Sequence, residues 1–449
     1  MNSGKNIAVI DIGKTNAKVV LVDANTMDEI TVEKTRNQVL NSKPYPHFNV
    51  DEIWEFILGS LGKLHAAYGI STISITTHGA CAALLNKSGN LAAPILDYEY
   101  QGVDQTAAEY ERTRPKFAET GSPRLAGGLN LGAQIFWLFE TVEGLKDSTD
   151  AILMYPQYWA QRLTGIIANE VTSLGCHTDL WNPYTNDFSS MVDKLDWRDR
   201  FAPLRPANQI LGTLSTSVAD QIGLPADTPV LCGIHDSNAS LYPYLLSQGE
   251  PFSVVSSGTW VIAMSIGGED IELSEERDTL INVNAIGQKV PSARFMGGRE
   301  FEILCLGRNN DYDQTDIESV LQSQVMLLPS VEPTSGPFAG RKMHWTRDPK
   351  TLSDGEHAVV VGFYLALMTN HCLKLIGARG SIFVEGAFAE NDSFVAMLEA
   401  ATGRQVIVSE GTGTSQGAAL LVGGTSKASK QQNARKVFEP RDAMKTYCK

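Results

Sequence analysis

The sequence has no long run of lysine or arginine, no Cys-x-x-Cys pair and no metal-type spacing among its eight histidines. It also lacks any uninterrupted stretch of about 18 apolar residues. Each absence removes a class of function. Without a basic run, and at a formal net charge of −14, nucleic acid and anionic membrane are excluded as main partners. A single nucleotide is not excluded, because one triphosphate needs only local amides and a cation. Cys81, Cys176, Cys232, Cys305, Cys372 and Cys448 follow no framework spacing, so they read as buried thiols in a reducing compartment. The opening MNSGKNIAVIDIGKTNAK lacks the basic-then-apolar order of a signal peptide. A cytoplasmic protein without a membrane segment is the expectation.

What is present is an ordinary globular composition, 43% hydrophobic and 20% charged over 449 residues. That length suits two domains. Residues 6–23 read as strand, polar turn, strand, and residues 252–266 repeat the theme around Ser256-Ser257-Gly258-Thr259. Helical spacing runs over 51–68, 131–143, 155–164, 356–376, 391–401 and 416–422, with strands over 70–77, 229–232, 382–384 and 406–409. Leu84 to Ile95 reads as a hairpin. Alternating strands and helices indicate a layered α/β fold, and the repeated hairpin suggests two halves of related architecture. The polar stretch 424–436 marks a candidate mobile segment, with 437–449 docking back or fraying.

Four segments carry chemistry. In Asp11-Ile12-Gly13-Lys14-Thr15, Gly13 lets backbone amides approach phosphate oxygens, and Thr15 adds a hydroxyl. A Walker A loop is rejected, since Ala8 stands where its first glycine belongs and a strand follows instead of a helix. Ser257, Gly258 and Thr259 form a second donor-rich turn; each turn taken singly also reads as a plain hairpin. Asp236, in Gly233-Ile234-His235-Asp236, lies at a strand end, where open α/β sheets place reactive groups. It reads either as a general base for phosphoryl transfer to an alcohol or as a helix-capping carboxylate. A His-Asp metal dyad would need further ligands that the histidine pattern does not offer. Glu385-Gly386 leading to Asn391, with Gly411 to Gly417 beyond, is the strand, glycine turn and helix start of a nucleoside cradle.

Together and in this order, the segments resemble the FGGY family of carbohydrate kinases across nearly the whole chain. AVIDIGKTNAKVVLVD and VVSSGTW resemble its two phosphate hairpins, GIHDSNAS its catalytic-base segment, and YPQYWAQRLTG a further shared stretch. The resemblance implies an α/β fold of two actin-like (ribonuclease H-like) ATPase domains, 1–244 and 245–449, with a central cleft. It implies ATP and Mg²⁺ as cofactors and a small-molecule sugar as partner, and a homodimer stays open. Asp236 becomes the base. Asp11, Gly13, Lys14, Thr15, Ser257, Gly258, Thr259, Gly386 and Asn391 hold the nucleotide, with Asp11 reaching the metal through water. Thr77-His78-Gly79 resembles the Met-His-Gly of ketopentose kinases, so His78 and Gly79, with Glu99 and His235, contact sugar. The SSGTW and His-Asp pair resemble the rhamnulokinase and fuculokinase branch, which implies a 6-deoxyketose. A ketopentose or polyol kinase, and a catalytically silent actin-like binding protein, are the alternatives. Several positions depart from the family pattern: Glu99 and Gln101 in Asp97-Tyr98-Glu99-Tyr100-Gln101, Gln157 for an aspartate, and Phe388 for a glycine.

Overall fold

The strand β1 (Asn6–Ile12) is buried along its whole length, as expected of an apolar run with both faces covered. A computed structural model describes residues 6–409, 413–423 and 441–448. These fall into two units: 6–247 with 281–289 and 413–423, and 248–280 with 290–409 and 441–448. The chain therefore divides at 247/248, and two later segments join the first unit, whereas the sequence reading placed everything beyond 244 in the second. Residues 410–412 and 424–440, which include the start of the 411–415 turn and most of the tail, lie outside the described residues.

In the first unit β1 pairs antiparallel with β2 (Asn16–Asp23), and β2 pairs in turn with β3 (Glu29–Arg36). β4 (Thr72–Thr77) lies parallel to β1 on its other side. β5 (Ile210–Thr213), β6 (Pro229–Leu231) and the short β7 (Ile234–His235) complete the sheet, with β6 and β7 both parallel to β4. The helix Val50–Tyr68 turns Ile53, Ile57, Leu61 and Leu64 into the core beside this sheet, and its first turn is capped by Asn49. The expected 84–95 hairpin is replaced by a longer-range pairing: Ala82–Leu85 runs antiparallel to Ala151–Met154. Only a single bridge, Leu85 to Leu91, remains of the local one.

The second unit repeats the plan. β8 (Phe252–Ser257), β9 (Val261–Ile266) and β10 (Lys289–Phe295) form an antiparallel meander, and β11 (Ser381–Gly386) lies parallel to β8, with β12 (Val406–Val408) beyond it. The order β3-β2-β1-β4 thus recurs as β10-β9-β8-β11, and the two polar turns singled out in the sequence occupy equivalent hairpins. The helix Asp354–Leu375 is apolar enough to cross a membrane by length and composition alone. It is the central helix of the second unit's core, with Val359 to Val361 and Phe363 to Ala366 buried. The helix Arg441–Tyr447 packs Met444 and Tyr447 into the same core. The cysteines carry no disulfide, and five of the six are buried.

Candidate active site

Three parallel strands of the first unit end close together. β1 delivers Asp11, β4 delivers His78 and Gly79, and β7 delivers His235 into the helix Asp236–Ser247. The register fixes this convergence, because Asp11 and Ile12 face Thr76 and Thr77, while His235 also faces Thr77. The His78 amide donates to Ile12 O at 2.8 Å. Reactive groups at the carboxyl ends of parallel strands are the usual arrangement in open α/β sheets.

Asp236 retains 29% side-chain exposure, and Oδ1 accepts from the Ser237 amide at 2.6 Å and lies 3.2 Å from His235 Nε2. Among the described residues no side-chain bond falls on Oδ2, which leaves it open to a ligand. Although partly accessible, the carboxyl sits in crowded surroundings. Its pKa is pushed up to about 6, by burial first and also by the nearby charge of Asp11, while His78 and the Ser237 amide act in the opposite sense. Burial holds both His78 and His235 well below the usual imidazole range, so both are neutral at pH 7. The ring of His235 is fixed by Asn238 at 3.4 Å and its amide by Thr172 Oγ1 at 3.0 Å. Gly79 is required beside it, because a Cβ there would stand 2.7 Å from His235 Nε2.

His78 sits among Phe48, Tyr98 and Tyr155, with ring centroids 5.1–5.5 Å away. Its Nδ1 lies 2.9 Å from Gly79 O. In the neutral ring that nitrogen donates, so the buried and unpartnered Nε2 is an acceptor awaiting a donor. Glu99 is 65% exposed in its side chain. Gln101 folds back onto Glu99 O at 3.0 Å.

Asp11 is buried, and its Oδ2 accepts from Thr414 Oγ1 at 2.6 Å and Ser415 Oγ at 2.9 Å. Both hydroxyls belong to the helix Gly413–Leu420, whose glycine-rich start the sequence pattern assigns to the nucleoside side. In the structure that helix packs on the first unit's sheet through Ser74 and on Ala239 through Gly417. Among the described residues Oδ1 accepts no side-chain bond, so a hydrated cation fits there. Magnesium keeps most of its water and asks little of the protein beyond one carboxylate and the substrate phosphates.

Two expected phosphate ligands have protein partners in this structure. Lys14 is bound to Asp97, lies 3.4 Å from Glu99 Oε2, and rests over the rings of Phe48 and Tyr98 at 4.9 and 4.7 Å. An ammonium held by two carboxylates and two aromatic faces is not free to follow a phosphate. Ser257 Oγ donates to Glu385 O at 2.6 Å and accepts from the Phe388 amide at 2.9 Å, so its hydroxyl ties the turn to β11. Gly13 keeps its place in the first turn, where its amide donates to Asn16 O, and Thr15 is exposed beside it. Gln157 Nε2 donates to the carbonyls of Cys232 and Gly233 at 3.0 and 3.2 Å.

In the second unit a cavity of about 530 Å³ is lined by Gly258, Thr259, Phe301, Tyr312, Phe388 and Asn391 among others. Gly386, next to the lining residue Ala387, has φ 84°, and a Cβ there would lie 2.0 Å from Ser257 O. Asn391 Oδ1 caps the helix Asp392–Thr402 through the Phe394 amide at 3.1 Å. Phe388 packs at a tilt against Phe394 and Phe301 and is a buried wall of the cavity. Tyr312 and Phe301 escaped the sequence reading because neither stands in a glycine-rich turn.

A carboxylate with a raised pKa beside two neutral histidines on one unit, and a cavity at a glycine turn on a second unit of the same plan, suit a phosphotransferase. Comparison with known proteins agrees. The family model for the N-terminal domain of the FGGY family of carbohydrate kinases matches residues 6–242, and that for the carbohydrate kinase FGGY C-terminal domain matches 249–432. The chain belongs to the FGGY family. It is 36% identical to a carbohydrate kinase from Novosphingobium aromaticivorans, with a TM-score of 0.88 over 94% of this chain and 92% of that one. An L-fuculokinase from Salmonella typhi is 27% identical over 59% of this chain and 57% of its own length. A rhamnulokinase from Bacillus subtilis is 26% identical over 56% and 52%. The matches to these two relatives thus span just over half their length. A xylulose kinase from Lactobacillus acidophilus shares the fold at a TM-score of 0.77 and 15% identity, over 99% of this chain and 95% of that one.

Proposed function

We propose that the protein transfers the γ-phosphoryl group of ATP to a primary hydroxyl of a ketose, a 6-deoxyketose of the rhamnulose or fuculose kind. The observation that carries this reading is Asp236, a carboxylate with an open oxygen and a raised pKa beside the unpartnered Nε2 of His78. A base poised nearer neutrality accepts a hydroxyl proton more readily than an ordinary carboxylate. Asp236 Oδ2 takes the proton of the attacking hydroxyl while that oxygen bonds to the γ-phosphorus and the bridge to ADP breaks. His78 accepts a hydrogen bond from a second sugar hydroxyl, and His235 and Glu99 border the same sugar. Magnesium, when bound, neutralises charge on the phosphates, and Asp11 orients its water shell. Gly13 and Thr15 offer donors to phosphate oxygens, and Gly258 and Thr259 offer donors at the second unit's cavity. Gly386 and Asn391 border the nucleoside in the second unit's cavity. The fuculokinase and rhamnulokinase likenesses support the 6-deoxyketose; Thr77-His78-Gly79 favours a ketopentose as the second reading.

A panel of 6-deoxyketoses, ketopentoses and polyols, assayed for ADP release with ATP and Mg²⁺, tests the reading. Release stimulated by one ketose class supports it. Tight ATP binding without stimulation by any acceptor would make the protein a silent binder instead.

A further inference from the structure

The first hairpin turn does something its sequence does not announce. Lys14 leaves it towards Asp97 and Glu99, between the faces of Phe48 and Tyr98. Phe48 and Tyr98 are also two of the three rings around His78. The ammonium therefore shares its aromatic box with a buried histidine whose Nε2 has no partner. Tyr98 reports the same neighbourhood: its phenol is pushed up by burial first, and by the nearby charges of Glu99, Asp236 and Asp97. An ammonium has three N–H donors. Asp97 takes one in a hydrogen bond and Glu99 pairs with the charge at 3.4 Å, which leaves donor capacity for a substrate oxygen.

We propose that Lys14 is a specificity-determining residue of the acceptor site, where its ammonium, pinned by Asp97 and Glu99, donates to a hydroxyl of a neutral polyhydroxylated substrate rather than to the nucleotide phosphates. This rests on the kinase reading above. The chemistry around it selects for neutrality. Asp11, Asp97, Glu99 and Asp236 set four carboxylates against one ammonium, and both histidines are neutral at pH 7. A sugar acid would bring a fifth negative charge into that field, and like charge at a binding surface acts against the wrong partner. A neutral sugar instead meets one strong donor, Lys14, and acceptors at His78 Nε2 and Asp236 Oδ2, the complement of a run of hydroxyls.

The test is calorimetric binding of a ketose from the active class, of gluconate, and of a non-hydrolysable ATP analogue with Mg²⁺, each to wild type, Lys14→Met and Lys14→Arg. Loss of a charged donor predicts ketose binding weakened about 10- to 100-fold in Lys14→Met, with the analogue changed by less than about twofold. Gluconate should bind wild type at least about tenfold more weakly than the ketose. Lys14→Arg keeps the charge but not its compact shape; it should also weaken the ketose and spare the analogue, and it decides the matter if Lys14→Met does not fold. Analogue affinity lost with ketose affinity kept would return Lys14 to the phosphates, and no change in either would leave it a structural ion pair; both overturn the proposal. A wild type that binds the analogue but no ketose would sink the kinase reading and this inference together. Ketose binding by wild type and both variants alike would sink this inference alone.

Discussion

Thr414 Oγ1 donates to Asp11 Oδ2 at 2.6 Å, across 403 positions of sequence. With Ser415 it holds one oxygen of the carboxylate and turns the other free. The combined change Thr414→Val and Ser415→Ala should loosen Asp11 while leaving its charge in place. Hydrogen bonds to charged groups contribute about 1.5–3 kcal/mol, so the Mg²⁺ concentration for half-maximal rate should rise roughly tenfold. Titrating Mg²⁺ at saturating ATP checks this, and an unchanged requirement would remove Asp11 from the metal's surroundings.

The raised pKa of Asp236 gives the rate a definite pH limb. The base works deprotonated, so kcat/KM should climb as pH rises through about 6 and level off above it. Asp11→Asn removes one charge that raises this pKa, so the limb of the residual activity should move to lower pH. The same shift has a sign for stability. The folded state binds this proton more tightly than the unfolded chain, so its contribution is fully present below the ordinary carboxylate range and is lost as pH rises through about 6. Asp236→Asn should therefore raise Tm at pH 8, by about 2 °C, and the gain should vanish near pH 3.5.

Gly79→Ala tests the packing of His235. The added methyl would press on an imidazole nitrogen 2.7 Å away. Displacing a group at the reacting centre by about 1 Å can cost roughly 10²-fold in rate. A fall in kcat of that order, with the analogue's affinity kept, is expected.

Glu170 is fully buried and accepts from Thr172, whose Oγ1 in turn accepts from the His235 amide at 3.0 Å. Burial pushes its carboxyl up to about 8. Thr172→Val leaves the His235 amide without its acceptor and removes one of the two bonds to Glu170, and should cost about 1–3 kcal/mol in unfolding free energy. Urea melts measure it, and the conservative Thr172→Ser should restore most of the loss.

Much of the architecture was legible because β-branched runs and glycine turns are local signals. Val9 to Asp11, Ile73 to His78 and Val254 to Gly258 sit where their patterns put them. Side-chain commitments were not legible. Nothing in Ser256-Ser257-Gly258 says that the second hydroxyl is used by Glu385 and Phe388, because both partners lie more than 120 residues away, one on the parallel strand β11 and one in the turn that follows it. Lys14 beside a glycine reads as a phosphate ligand until Asp97 and Tyr98 appear next to it. Thr414 and Ser415 look like part of a nucleoside turn, yet packing of Gly417 against Ala239 O seats their helix on the first unit.

The proton acceptor is tested most directly by single-turnover phosphoryl transfer with Asp236→Asn at pH 7.5, with ATP and the active ketose prebound and folding confirmed. Loss of a positioned base predicts a rate lower by about 10²–10⁴ with both ligands still bound. Transfer at close to the wild-type rate would mean that another group takes the hydroxyl proton.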